Sequence, residues 1–133
     1  MFRERPHGSD LSLEVTALSR DALFREAARG LAFMTGAYYG SRTGEEERAV
    51  FRGESDEECL VLLLEEILYR QSRDGKIRYP AVLHWTEGTL ETVLTLYSPF
   101  LSGYGLPVKG VTWHGLSVSF NGDFWQGSLL FDL

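Results

Sequence analysis

Between Cys59 and Leu68 the chain reads Cys-Leu-Val-Leu-Leu-Leu-Glu-Glu-Ile-Leu, apolar on nearly all sides of a helix. It opens with a capping box, Ser55-Asp56-Glu57-Glu58. The serine hydroxyl can accept from a free amide of the first turn, and three acids there suit the positive end of the helix dipole. Asp74-Gly75 supplies the stop, so the helix ends near Arg73. A helix of this kind has to be covered on more than one face, by the rest of the chain or by a partner. At 133 residues the chain is one domain by length, able to bury roughly two thirds of its extended surface without cross-links.

The rest of the pattern supplies possible cover. Leu11, Leu13 and Val15 alternate with polar residues and predict a strand from 11 to 17. Ser19 is an N-cap for a second helix, whose Leu23, Ala27, Leu31 and Met34 share one face and which Gly36 ends. The Gly-, Tyr- and Ser/Thr-rich stretch from 36 to 44 reads as a loop, and 48–52 as a short strand. After Gly75 the period changes to two: 80–85 and 89–97 flank a Glu87-Gly88 turn, and 98–107 is a loop. Strands follow at 108–114 and 116–120, the latter joined through Asn121-Gly122 to 124–133, a strong hairpin signal. Helices early and strands late predict an α+β fold, two main helices packed with a largely antiparallel sheet. The closing Ser-Leu-Leu-Phe-Asp-Leu is apolar at both parities, as in a strand covered on two faces, which places it centrally in a sheet.

Charge and cysteine usage limit the function. The formal charge is −6, with acidic runs at 45–47 and 56–58 and no basic cluster to offset them. That argues against tight, direct nucleic-acid binding and favours a cation or a basic protein surface as partner. The single cysteine, Cys59, excludes an internal disulfide and suits a reducing compartment, so the cytoplasm is the expected location. No apolar run approaches the ~18–20 residues that span a bilayer, and no secretory signal follows Arg3-Glu4-Arg5. Cys59 lies in an apolar helix, the setting of an inert thiol. Gly103-Tyr104-Gly105 has no Gly-Lys-Ser after it and reads as a turn. His7, His84 and His114 lack zinc-site spacing.

Two aspartates stand out. Asp10 precedes the first apolar strand, three residues after His7, and Asp132 sits between Phe131 and the C-terminal Leu133. If the first and last strands were neighbours, these two side chains and the terminal carboxylate would converge. Two unit charges ~4 Å apart repel by roughly 4 kcal/mol at an effective dielectric of ~20, so the three would need a cation. Hard oxygen donors favour Ca²⁺ or Mg²⁺ over zinc. The plainer alternative pairs Asp10 with Arg5 and leaves Asp132 in water at a fraying end; from the residues alone it is the favoured one. Lys109-Gly110-Val111-Thr112-Trp113-His114 gathers a cation, a hydroxyl, an indole and an imidazole at a strand entrance, a pattern equally suited to an exposed strand face.

Four segments taken in order carry a resemblance. His7-Gly8-Ser9-Asp10-Leu11 resembles the archease opening His-Thr-Ala-Asp-Val/Ile. Leu60–Leu68 resembles that family's Leu-Val-x-Trp-Leu-x-Glu-Leu-Leu, Lys109–Leu116 its Lys-Ala-x-Thr-Tyr-His-x-Leu, and Leu130–Leu133 its closing apolar-Asp-apolar. The resemblance implies a fold of strand–helix–strand–strand modules, one inserted in another. It also implies an accessory protein, not an enzyme, that activates an RtcB-type tRNA-splicing RNA ligase by promoting metal-dependent guanylylation and multiple turnover. Carried over, it implies a divalent ion (Ca²⁺ ahead of Mg²⁺ or Mn²⁺) held by Asp10, Asp132 and the carboxylate of Leu133, and an active role for Lys109. His7 and His114 match motif positions without a defined role. Departures are Gly8-Ser9 for Thr-Ala, Trp113 for Tyr and Leu63 for Trp. The competing readings are a metal-independent, chaperone-like interaction module resting on the apolar helix, and a metal-dependent hydrolase using Asp10, His7 and His114.

Overall fold

The strands sort into two antiparallel sheets with both helices in contact with each, which is how the apolar helix finds cover on more than one side. The computed structural model describes residues 1–7, 10–101 and 103–133, with backbone alone at 6 and 7. In chain order the elements are β1 (Phe2–His7), β2 (Asp10–Ala17), α1 (Arg20–Met34), β3 (Ala37–Arg52), α2 (Asp56–Asp74), β4 (Ile77–Thr86), β5 (Thr89–Leu101), β6 (Gly110–Phe120) and β7 (Trp125–Asp132). One sheet has the order β1-β2-β7-β6 and the other β3-β5-β4. Each contains a strand–helix–strand–strand unit, β2-α1-β6-β7 and β3-α2-β4-β5, with the second inserted in the first. Both units place the last strand between the other two.

The expected α+β class and the central position of the last strand hold. The strands divide between two sheets, however, and the helices contact both. Cys59, Leu60, Val61, Leu63, Leu64 and Ile67 of α2 are all buried, in one cluster with Leu13, Phe24, Leu31, Leu90, Leu94, Leu129 and Phe131. Each such leucine or phenylalanine contributes about 1.5–3 kcal/mol by leaving water. Both caps form as the sequence indicates. Ser19 Oγ accepts from the Ala22 amide at 3.0 Å and Ser55 Oγ from the Glu58 amide at 3.1 Å. Glu58 reaches back to the Glu54 amide instead of completing the box on Ser55. Gly75 ends α2 with φ 77°, a left-handed conformation that favours glycine.

Several stretches depart from expectation, among them 98–101, which continues β5 where a loop was expected, and 110–120, one bulged strand where two were expected. Residues 2–7 form an edge strand on β2, unmarked in sequence because Arg3, Glu4 and Arg5 have the polarity of a solvated edge. Residues 36–44 are mostly strand: β3 runs unbroken to Arg52 but shifts register between Tyr39 and Arg42 and again before Glu46. Gly40 and Gly44 fall at those shifts and carry the look of a loop into what is a bulged strand.

A charged network joins the end of α2 to β3 and β4. The Arg78 side chain is fully buried, and all five of its N–H donors are used. Two reach the Glu47 carboxylate at 2.8 and 3.1 Å, two reach Asp74 at 2.7 and 2.6 Å, and one reaches the Lys76 carbonyl at 3.0 Å. Arg70 donates to Glu47 at 2.9 Å and to Glu66 at 2.8 Å. Hydrogen bonds from Arg78, with help from Arg70, hold the Glu47 carboxyl at about 2, against 4.5 without them, and Asp74 is also held low, chiefly by Arg78. A carboxylate depressed in the fold stabilises fully above its unfolded value and loses that contribution as pH falls through the folded one. The stability gap between the parent and Glu47→Gln should therefore be constant above pH ~5 and close between pH ~4.5 and ~2. Urea titrations across that range check it; a gap that widens on acidification would contradict the assignment.

Candidate metal centre

The chain's first apolar strand and its last are neighbours. β2 and β7 pair antiparallel from Ala17↔Trp125 to Leu11↔Phe131, and the next residue on each strand is an aspartate, Asp10 and Asp132. The Leu11 and Phe131 side chains are both buried, so the strands are anchored just before the two carboxylates. Asp10 is half-buried, Asp132 is exposed, and Leu133 follows with the chain's terminal carboxylate. On the other side of β7, Gly110 of β6 pairs with Asp132, and the Lys109 amide donates to the Asp132 carbonyl at 2.8 Å. Asp132 is thus backbone-bonded in a sheet, not frayed into water.

Arg5 does not neutralise Asp10. Its Nε lies 3.1 Å from Glu14 Oε2, which also takes the Arg3 guanidinium at 2.7 Å. Glu14, which takes both, lies four residues along β2 from Asp10. Among the described residues neither Asp10 nor Asp132 forms an ion pair, and no three His, Cys, Asp or Glu side chains come together to hold a metal. The side-chain donors available at this end are two carboxylates. Both present hard oxygens, with no described cation between them, a donor type that fits a hard divalent ion.

The other residues singled out in sequence are placed differently. Lys109 is exposed, one residue before the Gly110–Asp132 pair, so it is near the carboxylates through its backbone. His114 is exposed, in a wide bulge of β6 where pairing stops at Thr112↔Leu130 and resumes at Ser117↔Ser128. Gly115 adopts φ 70° in that bulge, and the His114 amide donates to Thr112 Oγ1 at 2.9 Å. His7 ends β1 in register with Asp10, and its side chain lies outside the described residues, as do Gly8 and Ser9 of the opening motif.

Two residues not singled out in sequence as site residues hold this region together. Glu65 Oε1 accepts from the Val111 amide at 3.1 Å, and Glu57 Oε1 from the Val118 amide at 3.1 Å. Carboxylates two turns apart on α2 thus cap the free edge of β6 on either side of the bulge. Glu65 lies within the apolar run of α2, and what makes it useful is a contact with a strand 46 residues away.

Comparison with known proteins follows from this geometry. The family model of the archease protein family (MTH1598/TM1083) matches residues 2–133. The chain belongs to the archease family. Two solved structures are similar over nearly full length. One is an archease, described as a possible chaperone, from Thermotoga maritima: TM-score 0.68, 19% identity, covering 100% of this chain and 98% of that one. The other is protein 1598 of Methanobacterium thermoautotrophicum: TM-score 0.75, 15% identity, covering 99% and 98%. At these identities the likeness establishes the fold. No curated protein matches this chain in sequence. Among the described residues of this archease no helix is long and apolar enough to cross a membrane.

Proposed function

We propose that this archease is an accessory protein of an RtcB-type RNA ligase, promoting the ligase's metal-dependent guanylylation by GTP and so its multiple turnover. The observation that carries the reading is the strand register: it sets Asp10 and Asp132 at the facing ends of neighbouring strands, beside the terminal carboxylate, with no described cation between them. Asp10, Asp132 and the Leu133 carboxylate would hold the ion, Ca²⁺ in first place and Mg²⁺ or Mn²⁺ after it. When bound, such an ion supplies positive charge where nucleotide phosphates and ligase carboxylates meet. The chain itself contributes anchored backbone beside both aspartates: β2 and β7 are hydrogen-bonded to each other and buried at Leu11 and Phe131. Exposed Lys109, one residue from the Asp132 pair, is available to a phosphate or an acidic group of the ligase. A net charge of −6 suits a protein that touches the ligase and not its RNA.

Guanylylation of the cognate ligase, measured with and without this chain at limiting metal, tests the reading. A rise in the guanylylated fraction and in turnovers per ligase is expected; no change would retire it. A tag supplies a second test. Extending the chain past Leu133 turns its carboxylate into an amide and removes one proposed donor. Calorimetry should show Ca²⁺ binding weakened by about tenfold or more relative to an N-terminal tag, with the melting temperature in chelator unchanged.

The second reading is a chaperone-like interaction module that needs no metal, in keeping with the description of the Thermotoga maritima protein as a possible chaperone. A stable protein complex with no detectable Ca²⁺, Mg²⁺ or Mn²⁺ binding would favour it.

A further inference from the structure

The entrance of β6 is a short ladder between two irregular stretches. β6 is an edge strand, hydrogen-bonded to β7 alone. Residues 103 to 109 before it form neither helix nor strand, and its pairing with β7 covers Gly110, Val111 and Thr112 before the bulge interrupts it. Lys109 stands at that entrance, beside the Gly110–Asp132 pair. Among the described residues it enters no ion pair, so what places its ammonium is the backbone that carries it.

Two hydrogen bonds fix that backbone from opposite sides. On the β7 side the Lys109 amide donates to the Asp132 carbonyl at 2.8 Å. On the free side the Val111 amide donates to Glu65 Oε1 at 3.1 Å, and a side chain on Gly110 would begin 3.5 Å from the same oxygen. Glu66 bonds Arg70, but Glu65 forms no ion pair among the described residues; its described bond goes to a strand edge that water could serve. A carboxylate makes a stronger bond to an amide than a neutral oxygen does. The helix behind it is buried at Leu63, Leu64 and Ile67, so the anchor point is fixed. Glu57 makes the same kind of bond to Val118 on the far side of the bulge.

We infer that Glu65 is a positioning residue for ligase activation, holding Lys109 beside the carboxylate end by tethering the outer edge of β6; this rests on the function proposed above. Its effect falls on the lysine and not on the ion. β7 is held to β2 from Ala17↔Trp125 to Leu11↔Phe131 independently of β6, so Asp10 and Asp132 keep their places when the tether is cut. Lys109 has only the three-residue ladder and the loop before it. A displacement of ~1 Å in a group that positions a reaction can cost up to about a hundredfold in rate, so loss of the tether is readable in activity. Cover for a bare strand edge is the other use of such a bond. Glu57 supplies the comparison, because it covers the same edge away from Lys109.

The test compares Glu65→Ala, Glu65→Gln, Glu57→Ala, Lys109→Ala and Glu65→Ala/Lys109→Ala with the parent, each well below its melting temperature. Hydrogen exchange at the Val111 amide should quicken in Glu65→Ala and stay near the parental rate in Glu65→Gln, whose amide oxygen still accepts. Equal exchange in parent, Ala and Gln overturns the tether. At saturating concentration, Glu65→Ala should stimulate guanylylation of the cognate ligase about tenfold less than the parent. Glu65→Gln and Glu57→Ala should stay within about twofold of the parent, and the double variant within about twofold of Lys109→Ala. Ca²⁺ affinity of Glu65→Ala should be parental. A glutamine as poor as alanine shows that the charge acts and overturns positioning. So does a double variant about tenfold below Lys109→Ala, which makes the two residues independent. A Ca²⁺ affinity that falls with the stimulation ties Glu65 to the ion and also overturns it. An equal loss in Glu57→Ala reduces the bond to edge cover. Full stimulation by Lys109→Ala or by Glu65→Ala overturns the inference and leaves the carboxylate part of the proposed function standing. Absence of stimulation by the parent retires the proposed function, and the part of Glu65 with it.

Discussion

Asp10→Asn and Asp132→Asn are each expected to abolish stimulation of the ligase while leaving the fold intact. Asparagine keeps the volume and an acceptor oxygen but removes the charge, and in a site of two side-chain carboxylates and one terminus each charge matters. Ca²⁺ affinity should fall by roughly a hundredfold, at or beyond the upper end of what is lost when a residue merely supporting a ligand is changed. Stability should move in the opposite sense. Asp132 is exposed, Asp10 half-buried, and neither has a described cationic partner, so without metal the ionised groups repel each other. In chelator the variants should melt no lower than the parent, within the ±0.5 kcal/mol usual for surface changes. In saturating Ca²⁺ the parent alone should gain stability, by the mass action of a ligand that binds only the folded state. Stimulation at parental levels by both variants would remove the carboxylates from the mechanism. A large drop in melting temperature in chelator would instead show a structural role for them.

Arg78→Met should be the most destabilising single change outside the apolar core, on the order of 3 kcal/mol or somewhat more. The side chain is fully buried, and its five donors serve Glu47, Asp74 and the Lys76 carbonyl. Removing it leaves two carboxylates whose side chains are only 27% and 29% exposed; Glu47 then keeps the Arg70 guanidinium at 2.9 Å and Asp74 only that of Arg73 at 3.9 Å. For a chain of this length the melting temperature should fall by on the order of 10 °C. Arg78→Lys should recover only part of the loss, because an ammonium cannot fork to two carboxylates in one plane. Ca²⁺ affinity should be unaffected in either variant when measured well below the melting point, since the network ties α2 to the inserted sheet and the candidate metal centre lies on the other. Thermal melts at pH 7 decide the matter; a shift of under 2 °C would mean the network is closer to neutral than its geometry indicates.

Much of the architecture is local chemistry, and local chemistry is legible. Ser19 and Ser55 cap helices because a short hydroxyl beside a run of helix formers has few better partners. Gly75 ends α2 and Asn121-Gly122 turns the last hairpin for equally local reasons; there Asn121 Oδ1 accepts from the Asp123 and Phe124 amides. The β7 sequence, apolar at both parities, announced a central strand. Where local signals mislead, long-range pairing has overridden them. The glycines of 36–44 suggest a loop, yet pairing with β5 makes a bulged strand. The charges of 3–5 suggest solvent, yet β1 adds an edge to β2.

The candidate site divides along the same line. Sequence by itself determined which groups could serve: two aspartates at apolar strand ends, a terminal carboxylate, a lysine, and no surplus of positive charge to bind nucleic acid. Only the tertiary structure decided which of them meet. The β2–β7 register brings residue 10 beside residue 132, while His114 falls in a bulge of β6. Glu65 gains its meaning from a strand far off in sequence. The reason is physical. Caps and turns are set by interactions within a few residues, whereas the pairing of distant strands is chosen by the burial of a whole core, and no short window of residues contains that choice.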